Sequence, residues 1–405
     1  MNTSGLATLA TGGIVSPFTR LRRLLGDVVP GHARPIDMTV GEPHETVPPF
    51  VGDLLKQADG TLTHYPQIRG SGELRDAIAS FIERRYGLPT QMLERAREVH
   101  PLNGSREGLF FALLPAVGRK PGLERPAVLM PNPYFQAYNG AANCLNAEPV
   151  YLTVDDSTGY LPDLDKLAAN EGLLKRTAAF YLCSPANPQG AMASAEYLGR
   201  ALSLARQYDF MLFCDECYSE IYTGAPPPGG LQVAAATPER FRNLVCFNSL
   251  SKRSNVPGLR SGYAAGDGDF LETMAEIRNL VAPQMPGPQQ HASIALWADD
   301  THVETIRSAY NAKFDVCDTV LGRRFGYARP DGGFFLWLDV SQLGGGEQAS
   351  VTLWKGCGLK VVPGAFLAMP DREGTNPGDA YIRVALVHDL DTTREALERL
   401  VASVH

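Results

Sequence analysis

Residues 249–262 read Ser-Leu-Ser-Lys-Arg-Ser-Asn-Val-Pro-Gly-Leu-Arg-Ser-Gly, directly behind the apolar run Leu244–Phe247. A short uncharged run of this kind predicts a strand buried on both faces. An isolated lysine is ordinarily a solvated surface residue, so its company decides how Lys252 is read. Hydroxyls precede it at Ser249 and Ser251, and Arg260 follows eight residues on. An amine at the mouth of a sheet can form a Schiff base while hydroxyls and a guanidinium hold a phosphate. The combination suggests pyridoxal phosphate as cofactor. Ser249-x-x-Lys252 also fits the Ser-x-x-Lys nucleophile pattern, but that chemistry needs Ser-Asp-Asn and Lys-Thr-Gly too. Neither tripeptide occurs in the chain.

Upstream, the runs Ala127–Met130, Val150–Val154, Ala178–Cys183 and Phe210–Cys214 read as further buried strands, most of them separated by helical or loop stretches. That alternation predicts an α/β fold whose mostly parallel sheet lies between helices, with ligands gathered beyond the carboxyl ends of the strands. Leu74, Ile78, Phe81 and Ile82 recur at helical spacing, and Tyr86-Gly87-Leu88-Pro89 is a stop signal. Around Val281–Pro288 the density of Pro and Gly rises and the rhythm breaks, which places a domain boundary there. Beyond it a smaller α+β domain is expected, with a helix near Val303–Thr319 and strands in Gly333–Leu338 and Tyr381–Ala385. There is no internal repeat.

The chain has 405 residues, 37 Lys plus Arg against 44 Asp plus Glu, and 44% hydrophobic residues. A net charge of −7 without a basic block argues against nucleic-acid or anionic-membrane binding. No apolar run is long enough to span a bilayer. The first basic residues, Arg20, Arg22 and Arg23, follow the N-terminal uncharged stretch instead of preceding it, unlike a secretory signal, so a cytoplasmic address is expected. The seven cysteines are an odd, scattered set, unlike a disulfide framework.

Asp215 closes the run Phe210–Cys214, a place where a carboxylate is rarely put for packing. Opposite a pyridoxal ring it would keep the ring nitrogen protonated and make the ring an electron sink. Cys214-Asp215-Glu216-Cys217 spells C-x-x-C, but no second such pair exists, so incidental cysteines and no metal site are expected. Asn103–Gly108 precedes an apolar helix with Ser105 near its cap, an anion seat if backbone N–H groups face a ligand. Ser184-Pro-Ala-Asn187-Pro-Gln-Gly190 is a stiff turn after a strand that could aim Asn187 into a cleft. Pro131–Tyr138 places aromatics after another strand, where a ring could stack on a planar cofactor.

In this order the segments resemble the fold-type I aminotransferases of pyridoxal phosphate, the aspartate aminotransferase superfamily, over nearly the whole chain from Gly41-Glu42-Pro43 to Arg383. The resemblance implies that Lys252 is the Schiff-base lysine and proton shuttle and that Asp215 partners the pyridine nitrogen. It implies that Asn187 and Tyr218 bond the phenolic oxygen, and that Ser105, Ser249 and Arg260, with the backbone around Gly104 and Arg106, hold the phosphate. Phe135 falls where the family stacks a Tyr or Trp. Tyr65 matches a tyrosine that reaches the neighbouring subunit's phosphate, which implies a homodimer with shared sites. Arg383 matches the clamp on the substrate's α-carboxylate, and Gly41 would offer backbone to it. The implied division is an N-terminal segment 1–45 associated with the small domain, a large cofactor-binding domain 46–285 and a small domain 286–405. Ser184 and Gln189 depart from the commonest Asn and Thr of the turn, and Phe135 lacks a hydroxyl or indole N–H.

Within the superfamily, Ser249–Gly258 followed by Arg260-Ser-Gly most resembles the N-succinyldiaminopimelate aminotransferases, which implies N-succinyl-L,L-diaminopimelate and 2-oxoglutarate as substrates, with glutamate as amino donor. A general aspartate or aromatic aminotransferase and a carbon–sulfur lyase share the same machinery and remain alternatives. A regulatory module that kept the fold would need a DNA-binding head, and no such basic pattern is present. No Lys or Arg lies between Arg278 and Arg307, so the partner of a distal carboxylate is open, with Arg20, Arg22, Arg23 and Arg69 as candidates.

Overall fold

The computed structural model describes residues 14–403. A two-residue strand, β1 (Ile36–Asp37), precedes seven longer ones: β2 (Val99–Leu102), β3 (Ala127–Asn132), β4 (Glu148–Thr153), β5 (Thr177–Cys183), β6 (Met211–Asp215), β7 (Leu244–Ser249) and β8 (Gly262–Gly266). These seven form one sheet of order β2-β8-β7-β6-β5-β3-β4. The β4-β3-β5-β6-β7 ladder is parallel throughout, and β8 runs antiparallel to both its neighbours. Because β8 is the one reversed strand, β2 points the same way as β7, and the amino end of β8 lies at the edge where the other strands end.

Alternation along each strand sorts side chains to two covered faces. Leu212, Cys214, Leu244 and Cys246 pack with Leu74, Phe81 and Leu198 on one side. Met211, Phe213, Val245 and Phe247 pack with Leu109, Tyr138 and Met274 on the other. Each such buried side chain contributes roughly 1.5–3 kcal/mol. Val150 and Leu152 are only half-buried: β4 is the sheet's edge, so the fully buried strand expected at Val150–Val154 is a half-covered one. Helix Gly72–Tyr86 is framed by Ser71, whose side chain accepts from Leu74 N–H, and by left-handed Gly87.

The remaining strands, β9 (Phe335–Asp339), β10 (Leu359–Lys360), β11 (Val362–Pro363) and β12 (Tyr381–Ala385), build a smaller layer: an antiparallel β11-β12-β9 sheet, with β10 paired in parallel to β1. Helices Thr301–Leu321, Gly346–Cys357 and Leu390–Ala402 cover it through Phe314, Leu353 and Leu397. Helix Pro17–Leu25 seats Leu21 and Leu25 against Val362 and Phe366. Helix Gly287–Ala298 lies beyond the expected boundary at 285/286, yet its Ala292, Leu296 and Trp297 share a cluster with Phe81 and Ile82 of the large sheet's cover. That packing favours a division near residue 300. No helix of the described residues is long and apolar enough to cross a membrane.

Candidate active site

Five chain segments leave the large sheet at one edge, each carrying a residue singled out by sequence. Ser105 follows β2, Phe135 follows β3, Asn187 follows β5, Tyr218 follows β6 and Lys252 follows β7; Arg260 enters from the same edge just before β8. They meet around a cavity of about 580 Å³, closed from the small-domain side by Phe335 and Arg383. Gly41, Arg106, Asp215 and Ser249 also line it. Two sequence-expected residues do not: Gly104 stands behind the wall, and Tyr65 is 96% exposed.

Lys252 sits in the short helix Leu250–Arg253, and its Nζ donates to the Gly41 carbonyl. Burial pulls its pKa down to about 8, with Arg383 and Arg260 acting in the same direction and Cys217 and Glu42 against it. Asp215 is buried at the tip of β6. Its Oδ2 accepts from Tyr138 Oη at 2.6 Å and its Oδ1 from Cys217 N–H at 3.3 Å. Burial raises its pKa, while these hydrogen bonds oppose the rise.

Arg383 projects from β12 into the large domain. Its Nη1 donates to Asn187 Oδ1 at 3.2 Å and its Nη2 to the Thr39 carbonyl at 2.7 Å, and the guanidinium lies 4.4 Å from the centroid of the Phe335 ring. Burial lowers its pKa to about 10, which leaves it charged at neutral pH. Tyr218 packs edge-on against Phe334 and Phe335, and burial pushes its phenol pKa upward.

At the opposite end of the cavity Ser105 opens the helix Ser105–Phe111, with Gly104 (φ 80°) as its cap. A Cβ on Gly104 would lie 2.3 Å from Arg260 Nη2, and one on Gly262 would lie 3.1 Å from Ser105 N, so both glycines leave space that a side chain would fill. Arg260 donates to the carbonyls of Pro257 at 2.9 Å and Asn103 at 3.2 Å. Ser249 Oγ accepts from Ser251 N–H at 3.1 Å. Arg106 lies over the Phe135 ring, 5.5 Å from its centroid.

Cys214 and Cys217 fall on different sides: Cys214 in the core beside Cys246, Cys217 on the cavity wall, with its thiol 3.0 Å from Ser105 Oγ. The Cys214 and Cys246 sulfurs and the Glu216 carboxylate lie within 4.8 Å of one another. Both Glu216 oxygens are engaged, one by Tyr86 Oη at 2.6 Å and the other by Gly230 N–H at 2.7 Å. Sequence alone gives Tyr138 and Thr39 no role and reads Cys217 as an incidental cysteine, yet Cys217 lines the cavity, Tyr138 bonds Asp215 and the Thr39 carbonyl bonds Arg383. The available signal for Tyr138 was its place three residues after Phe135, on a helix that must face the sheet.

A family model described as aminotransferase class I and II matches residues 33–400. The chain belongs to that family. An aminotransferase structure from Neisseria meningitidis superposes with a TM-score of 0.91 at 35% identity, covering 98% of this chain and 100% of the other. Aminotransferase AspB from Helicobacter pylori gives 0.86 at 33%, covering 96% and 98%. A protein named LL-diaminopimelate aminotransferase, from Syntrophobacter fumaroxidans, is 28% identical over 95% of both chains. This aminotransferase is a pyridoxal-phosphate enzyme.

The residues present fit that cofactor. The buried Asp215 carboxylate has no cationic partner among the described residues, which suits a protonated ring nitrogen. The space kept by Gly104 and Gly262 beside Arg260 and Ser105 suits a phosphate. Arg383 Nε is buried without a hydrogen-bond partner, a donor available to a carboxylate.

Proposed function

We propose that this aminotransferase moves the amino group between N-succinyl-L,L-diaminopimelate and 2-oxoglutarate, giving the corresponding 2-oxo acid and glutamate, with glutamate as the amino donor when the reaction runs the other way. The observation that carries the amino-acid end of this reading is Arg383: a buried guanidinium aimed into the cavity, held by Asn187 and Thr39 and keeping an unused Nε–H. The similarity to a protein named for LL-diaminopimelate supports the diaminopimelate skeleton. The stretch Ser249–Gly258, with its resemblance to the N-succinyl enzymes, supports the acylated form.

When bound, pyridoxal phosphate supplies an electrophilic carbonyl carbon and a ring able to accept the electron pair of a broken Cα–H bond. Lys252 would hold the cofactor covalently through its amine and would carry a proton at Nζ to and from the substrate's Cα. Asp215 holds the proton at the pyridine nitrogen, and Tyr138 holds Asp215. Asn187 and Tyr218 would hold the phenolic oxygen, and Phe135 would hold the ring by stacking. Ser105, Ser249 and Arg260, with the backbone at Gly104 and Arg106, anchor the phosphate. Arg383, aided by the Gly41 backbone, fixes the α-carboxylate and so orients Cα toward Lys252. The proposed working unit is a homodimer in which Tyr65 completes the phosphate seat of a second copy of this chain, a reading supported by the exposure of Tyr65.

The test is the cofactor's visible band in the purified protein before and after adding N-succinyl-L,L-diaminopimelate, free L,L-diaminopimelate, glutamate or aspartate. Bleaching by the succinylated compound and by glutamate supports the reading. Bleaching by free diaminopimelate but not its succinyl derivative moves the substrate to the unacylated amino acid, and bleaching by aspartate alone discards both.

A further inference from the structure

Beside the site cavity lies a second, wider groove of about 1070 Å³. The two share Pro17, Arg106, Tyr134, Gln136 and Leu367 in their walls and so lie side by side. Among the described residues the groove is lined by three arginines, Arg20, Arg23 and Arg106, and by no carboxylate. Among the described residues none of the three is in an ion pair, whereas Arg84 and Arg85 on another helix are matched to Asp300 and Glu220. Arg20 is fixed by stacking 4.0 Å from the centroid of the Phe366 ring, and one donor goes to the Ala365 carbonyl at 3.4 Å. Arg20 and Arg23 are three apart on the helix Pro17–Leu25 and share a face. Arg22 of the same helix is not in the wall.

Several unpaired guanidinium groups around one groove create a local positive potential that favours an anion, and planar forks suit carboxylates. We infer that this groove receives the far end of a long amino-acid substrate and that Arg20 and Arg23 hold its terminal carboxylate. The ligand class is an amino acid whose reacting Cα sits in the site cavity while an extended arm, ending in a carboxylate, passes Arg106 into the groove. N-succinyl-L,L-diaminopimelate has such an arm; the choice of this arm rests on the proposed function, the groove's charge does not. Arg20 and Arg23 act on specificity and not on the reacting atoms.

The experiment compares N-succinyl- with N-butyryl-L,L-diaminopimelate, which differ in a terminal carboxylate against a methyl group, on the holoenzyme. Wild type is expected to favour the succinyl compound in kcat/KM by roughly 10- to 100-fold, the scale of charge-assisted hydrogen bonds. In the Arg20→Gln/Arg23→Gln variant the preference falls toward unity through KM, with kcat and the rate with alanine unchanged; Arg22→Gln keeps it. If the double variant fails to fold, Arg23→Gln alone, at an exposed position, gives a partial loss. An unchanged preference in the variants, or none in wild type, overturns the groove. If wild type uses alanine but neither acyl compound, the substrate reading fails by itself. The same ratio taken with 2-aminosuberate against 2-aminooctanoate then decides the groove, equal ratios in wild type and double variant overturning it.

Discussion

Tyr138 donates its phenolic hydrogen to Oδ2 of Asp215 across 2.6 Å, from the helix Gln136–Cys144 to the carboxyl tip of β6. The tyrosine is fully buried and stacks on Tyr181 with ring centroids 4.5 Å apart, so its hydroxyl has a fixed direction. The hydrogen bond fixes where the carboxylate points and works against burial, which raises its pKa. Tyr138→Phe keeps the stacking and removes the hydrogen bond. Loss of one charge-assisted bond is worth about 1.5–3 kcal/mol, so the half-reaction should slow by roughly tenfold or more, with the melting temperature of the apoprotein little moved. Stopped-flow bleaching of the cofactor band and a thermal melt check the two halves; Asp215→Ala should lose far more rate than Tyr138→Phe.

Lys252 should show its lowered pKa in the apoprotein. In its proposed role the free amine is the nucleophile, and burial places the change near pH 8. Covalent uptake of pyridoxal phosphate should therefore accelerate with pH below about 8 and level off above it. A lysine at its ordinary value would keep accelerating to about 10.4. Rate of uptake against pH is the measurement. Lys252→Ala should show no covalent uptake at any pH and no turnover.

The fold was legible where chemistry is local. Runs such as Ala178–Cys183 and Phe210–Cys214 announce buried parallel strands because every residue in them is apolar. Two strands of the large sheet escape such a reading. β2 carries Pro101, which ordinarily argues against a strand, and it is tolerated because β2 is at the edge of the sheet. β8 reads Gly-Tyr-Ala-Ala-Gly, with no β-branched residue to signal it. The Pro/Gly-rich stretch after Val281 does mark a loop, but whether the helix Gly287–Ala298 joins one core or another is decided by Trp297 meeting Phe81. Asp215 is legible because a carboxylate at the end of a buried strand is unusual, Lys252 because of the hydroxyls and Arg260 around it, and Arg383 only through the family resemblance. Tyr138 did not, because its partner is 77 residues away in sequence.

Gly104 should resist replacement. It adopts φ 80°, open to glycine but costly for other residues, and a Cβ there would meet Arg260 Cζ at 2.9 Å. The backbone strain alone is about 1–3 kcal/mol, and displacement of Arg260 would weaken the phosphate seat. Gly104→Ala is therefore expected to lower the melting temperature and to raise the dissociation constant for pyridoxal phosphate. Since the clash is with one side chain, Gly104→Ala and Arg260→Ala together should cost less than the sum of the two, a coupling that a double-mutant cycle in cofactor affinity measures.

Glu45 and Lys313 fix the approach of the N-terminal segment to the site. Lys313 is buried on the helix Thr301–Leu321, and its Nζ donates to Glu45 Oε1 at 2.6 Å and to the Leu386 carbonyl at 3.3 Å. Burial lowers the lysine's pKa and Glu45 works against that. Four residues before Glu45 stands Gly41, whose carbonyl takes the Lys252 Nζ, and between them His44 N–H bonds the Val387 carbonyl at 3.3 Å. Glu45→Gln leaves a buried ammonium facing a neutral amide. Removing one partner from a fully buried pair costs about 3–5 kcal/mol, and because Glu45 keeps 28% of its side chain exposed the cost here should be smaller, about 1–3 kcal/mol. The expected result is a lower melting temperature together with a raised KM for every amino acid tried, short or long, because the loop that offers Gly41 to the α-carboxylate is less firmly held. Lys313→Met, which removes the charge and keeps the bulk, should recover part of the stability and none of the KM. A variant in which KM stays at the wild-type value while stability falls would show that this ion pair supports the small domain without setting the position of Gly41.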